Sequence, residues 1–79
     1  MGQRPRPKPE RLAAKLFAIR ERLGLSQSEM VRLLNFQMST ARLSEYESGI
    51  REPNLLTILA YSRAIGVPVE RIIDDNLDL

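Results

Sequence analysis

The sequence predicts an all-α fold, a compact bundle of five short helices. Apolar residues recur at spacings of three and four along most of the chain, and glycine or a capping Ser or Asn stands at the breaks between these runs. No stretch alternates with period two for long enough to argue a strand.

Residues 1–9 read as an extended basic arm, because Pro5, Pro7 and Pro9 at every second position forbid a helix. Pro9 suits the first position of a helix over about 10–23. Leu12, Leu16, Ile19 and Leu23 form its apolar stripe, with Ala13 and Phe17 beside them, and Gly24 follows as a left-handed cap. Ser26-Gln27-Ser28-Glu29 has the spacing of a capping box, which opens a second helix over about 27–34. Met30, Val31, Leu33 and Leu34 are its apolar positions, and Asn35 tolerates the left-handed conformation that ends it. Ser39 caps a third helix over about 40–47, with Leu43 and Tyr46 inward and Ser48-Gly49 as its stop. Pro53-Asn54 precedes a fourth over 55–65, expected to turn Leu55, Ile58, Leu59, Tyr61 and Ile65 inward before Gly66. A fifth, near 69–74, presents Val69, Ile72 and Ile73, and residues 76–79 read as a frayed end.

Seventy-nine residues make one domain at most. A chain of this size buries a modest core, so self-association would add to its stability. With no Cys, disulfides and thiolate metal sites are ruled out. With no His, the usual general base near neutral pH and the usual zinc ligand are missing as well. These absences weigh against an enzyme, and neither a cofactor nor a metal is expected. The acids near the end, Glu70, Asp74, Asp75 and Asp78, lack calcium-loop spacing and its glycine, and read as a solvated tail. No apolar run approaches the ~20 residues of a membrane span, and no apolar segment follows the basic start, so a cytoplasmic protein is expected.

The net charge of +2 hides an asymmetry: residues 1–23 carry seven Lys/Arg against two Glu, and residues 24–79 five Arg against eight acids. A basic end on a small domain points to a polyanion partner, and it fits a solvated tail too. Arg4, Arg6 and Lys8 would track phosphates or enter a minor groove on the first reading and only solubilise the chain on the second.

The ordered set of Gly24-Leu25-Ser26-Gln27, a short helix, a turn, a helix, Glu47-Ser48-Gly49, Pro53 and Gly66-Val67 closely resembles the phage repressor and Cro-type helix-turn-helix family. The likeness covers roughly residues 10–75, and no single piece of it is decisive. It implies a five-helix domain of the lambda-repressor-like type and a sequence-specific regulator of transcription. Its third helix would enter the major groove of double-stranded DNA while the second crosses the backbone. Carried over by position, Thr40, Ala41, Ser44 and Glu45 fall where the family reads bases, and Gln27, Ser39, Arg42, Ser48 and Arg51 where it meets phosphates. Arg20 and Glu47 fall where the family has a buried ion pair joining the first helix to the end of the third. Two features depart from the pattern. Asn35-Phe36-Gln37-Met38 makes the turn before Ser39 two residues longer than usual, and residues 39–49 hold one arginine against Glu45 and Glu47.

Tyr46 and Tyr61 read as core aromatics. Leu56 and Ala60 fall on the outer side of the fourth helix, as scattered surface residues or as the seat of a symmetric dimer. The leading expectation is a homodimeric repressor on a palindromic operator. The rival is a protein-interaction module on the same scaffold, such as an antitoxin or adaptor, which the acidic third helix and Leu56 would favour.

Overall fold

The computed structural model describes residues 9–34 and 38–79. Among them lie five helices and no strand: α1 (Leu12–Leu23), α2 (Gln27–Leu34), α3 (Thr40–Ser48), α4 (Leu55–Ile65) and α5 (Val69–Ile73). The arm residues Arg4, Arg6 and Lys8, and the expected cap Asn35, lie outside the described residues.

Local chemistry explains most boundaries. Ser26 and Glu29 close the capping box at α2 reciprocally: Glu29 N–H donates to Ser26 Oγ at 3.1 Å, and Ser26 N–H to the Glu29 carboxylate at 2.8 Å. Ser39 accepts from Arg42 N–H at the start of α3, and Asn54 accepts from Thr57 N–H at the start of α4. Gly49 ends α3 with φ +83°, a conformation that strains any residue with a Cβ.

The core joins Leu12, Leu16 and Ile19 of α1 to Met30, Leu34, Leu43, Tyr46, Ile58, Tyr61 and Ile72. Burying side chains from all five helices in one cluster is what fixes α3 against α1 and α2.

Several expectations change. α1 begins at Leu12, with Pro9 before two bends, because its first N–H groups find a distant cap: Asp75 accepts from Glu10 N–H at 2.9 Å and Arg11 N–H at 3.0 Å. Leu55 points outward, 79% exposed, because it directly follows the cap and precedes the first inward positions, Thr57 and Ile58. Leu33 is half exposed, and Phe17 lies beside the Arg20 guanidinium, 5.3 Å from ring centroid to Cζ.

The chain end expected to fray is held. Lys15, only 4% exposed, donates from Nζ to the carbonyls of Arg71, Asp74 and Leu77 at 2.7–2.8 Å. Arg11 donates to the carbonyls of Asp75 and Leu77 and to the Asp78 carboxylate, and Leu79 packs partly buried on the core. Asp75 and Asp78 therefore work as partners for α1 and are not a free acidic tail.

Candidate nucleic-acid interface

Helical periodicity divides α3 into two faces. Leu43 and Tyr46 are buried, and Glu47 shares their side. Ala41, Ser44 and Ser48 lie on the opposite side and are exposed, with Glu45 half exposed next to them, and Thr40 is exposed at the first position of the helix. The solvent face is therefore low and polar, with short side chains near the N-terminus of the helix.

Arg20 and Glu47 form the joint that holds this face. Arg20 Nε and Nη2 donate to the two Glu47 carboxylate oxygens at 2.7 and 2.9 Å, a bidentate fork, while Nη1 donates to the Leu25 carbonyl at 3.0 Å. The side chains are 16% and 6% exposed. The guanidinium is held above its ordinary pKa, chiefly by its hydrogen bonds to Glu47 and against the cost of burial. Gln27 leans on the same carboxylate, its Nε2 at 3.4 Å from Glu47 Oε1. Helices α1, α2 and α3 thus meet at one carboxylate, and Glu47 is withdrawn from the outer surface.

The remaining charges are also ordered. Arg51, just past the Gly49 cap, donates from Nε to Glu45 Oε1 at 3.0 Å, and Arg42 Nε lies 3.6 Å from the same oxygen. Arg42, Glu45 and Arg51 sum to +1, and with Glu47 turned inward the exposed side of α3 is not the acidic helix that a count over residues 39–49 suggested. The structure brings together Gln27, Ser39, Thr40, Ala41, Arg42, Ser44, Glu45, Ser48 and Arg51 on and around α3.

A helix-turn-helix family model matches residues 16–72. The chain belongs to the phage repressor and Cro-type helix-turn-helix family. That membership makes it a DNA-binding helix-turn-helix protein of the regulatory kind. No curated protein and no solved structure matches the chain.

Within this family frame, α2 and α3 are the two helices of the motif. Position alone marked Arg20 and Glu47; Lys15 was missed, although its place between Leu12 and Ile19 on the apolar stripe was a signal that it turns inward. Leu56 is 65% exposed, while Ala60 packs partly buried against the core. Both line a groove between the end of α2 and the length of α4, together with Leu33, Leu59, Arg63 and Ala64. Among the described residues no group of three acids could hold a metal ion, and no helix is long and apolar enough to cross a membrane.

Proposed function

We propose that the chain is a dimeric repressor that reads a palindromic operator with α3 in the major groove. The observation that carries this reading is the outer face of α3, where short side chains stand beside two arginines, the one carboxylate, Glu45, is engaged by both, and Glu47 is turned inward onto Arg20. Thr40 offers a hydroxyl and a methyl, Ala41 a methyl for thymine, Ser44 a hydroxyl, and Glu45 an acceptor for cytosine N4. Arg42, Arg51, Ser39, Ser48 and Gln27 are the phosphate neighbours, with Arg4, Arg6 and Lys8 of the arm adding to them. Residues 10–75 form the DNA-binding unit of a cytoplasmic protein, and no cofactor takes part.

Leu56 and Ala60 supply the dimer contact, which would set two copies of α3 about 34 Å apart on one face of the duplex. The exposed leucines of the same groove also suit an adaptor that binds protein alone.

Selection of sites from random duplexes, followed by titration across salt, tests the proposal. A DNA reader yields a palindromic consensus, and log affinity falls linearly with log salt. Thr40→Ala then relaxes preference at one base pair, costing about 1–3 kcal/mol on the selected site. Binding without consensus or salt dependence, together with a single protomer in sedimentation, would sink the dimeric reader and favour the adaptor.

A further inference from the structure

Glu45 has more partners than a residue that only reads a base would need. One carboxylate oxygen, Oε1, takes Arg51 Nε at 3.0 Å and lies 3.6 Å from Arg42 Nε. Its backbone carbonyl accepts from Ile50 N–H at 3.0 Å, Arg51 N–H at 3.2 Å and Ser48 Oγ at 3.2 Å. Arg51 is thus tied to Glu45 twice, through its main chain and its side chain. The backbone tie fixes where Arg51 starts, and the carboxylate decides where its guanidinium points.

A guanidinium binds carboxylate and phosphate oxygens with the same donors. A carboxylate already holding two guanidinia therefore competes with any phosphate that approaches them. The three side chains are between 36% and 50% exposed, and ion pairs so exposed are weak. The bridge is strong enough to bias both arginines and weak enough for a phosphate to displace it.

We propose that Glu45 sets specificity through Arg42 and Arg51: its carboxylate stands in for a backbone phosphate and holds down sequence-independent binding. This rests on the DNA-facing reading of α3. Each arginine that leaves Glu45 for DNA adds one phosphate contact, and the trio rises from +1 to +2 when the carboxylate is removed. Discrimination then grows because the arginines contribute fully only where contacts to the bases repay the exchange.

The test compares wild type, Glu45→Gln, Arg51→Ala, the double variant, and Glu70→Gln as a control of equal charge on α5, which packs on α1 and α4. Binding is titrated against a random-sequence duplex and the selected duplex across salt, and each protein is also eluted from immobilised heparin. Glu45→Gln should raise affinity for the random duplex by up to about fivefold, the upper end for an exposed pair. The log–log salt slope should steepen by ~0.9 for each arginine freed. It should elute later from heparin, and Arg51→Ala should cost more in the Gln background than in wild type. Glu70→Gln should leave the slope unchanged.

Equal costs of Arg51→Ala in both backgrounds would overturn the proposal and leave Glu45 as a plain repelling charge. So would a random duplex unaffected by Glu45→Gln, which would leave base reading as the whole of what Glu45 does. Later heparin elution of Glu45→Gln, with Arg51→Ala costing more retention in the Gln background and no wild-type binding to any duplex, would uphold the bridge and fail the DNA reading instead.

Discussion

Glu47 lies on the helix assigned to DNA, yet its carboxylate is spent inside the protein on Arg20 and Gln27. Removing it would strand the Arg20 guanidinium in a mostly buried seat. Glu47→Ala should therefore cost roughly 3–5 kcal/mol, seen in denaturant titration, and a variant as stable as wild type would contradict the joint. Tyr61 presents the opposite case. Its hydroxyl is buried with no hydrogen-bond partner among the described residues, and burial, then the Glu47 charge, push its pKa well above the ordinary 10.0. A phenol with a raised folded pKa adds stability below its unfolded value, lost as pH rises toward the folded one. Tyr61→Phe should be at least as stable as wild type near neutrality, because a buried hydroxyl without a partner is costly. The variant should also lack part of the loss above about pH 10. Clear destabilisation at neutral pH would mean that the hydroxyl has a partner. The inward turn of Glu47 was legible, since it follows buried Leu43 by four positions. The bridge from Glu45 to Arg51 was not, because it depends on how the Gly49 turn folds back the chain.

At the scale of elements, helix starts with their own Ser or Asn caps were readable, and the start of α1 was not. Ser26, Ser39 and Asn54 lie within three residues of the N–H groups they satisfy, whereas Asp75 reaches Glu10 and Arg11 across 64 or 65 positions. No local pattern carries such a contact. Leu55 failed for a related reason: its apolar character suggested burial, but the register of α4 is set by Asn54 and by Ile58 and Tyr61 in the core. The Asp75 cap has a pH signature. Hydrogen bonds from Glu10 N–H and then Arg11 N–H hold its carboxyl below the ordinary 3.8, and Arg11 does the same to Asp78. Carboxyls with depressed folded pKa values stabilise above their unfolded values and lose that contribution as pH falls through the folded ones. Melting temperature should thus decline on acidification starting near pH 3.8 and continuing below it. Asp75→Ala should lower the neutral-pH melting temperature and flatten that decline. An unchanged acid limb would show that Asp75 does not cap α1 in solution.

The whole molecule arranges its charges by role. Arg20 and Lys15 are consumed internally, by Glu47 and by the carbonyls at the chain end. Arg42 and Arg51 stay at the surface beside the exposed side of α3. Because phosphate affinity then rests on few cations, the proposed reading requires DNA to meet the short face of α3. Amide chemical-shift mapping of the labelled protein during titration with the selected duplex tests this most directly. The largest changes should fall on Gln27, residues 39–45, Ser48 and Arg51, with α5 and the Lys15 joint undisturbed. Changes confined to Leu33, Leu56 and Ala60, with residues 39–45 silent, would contradict it.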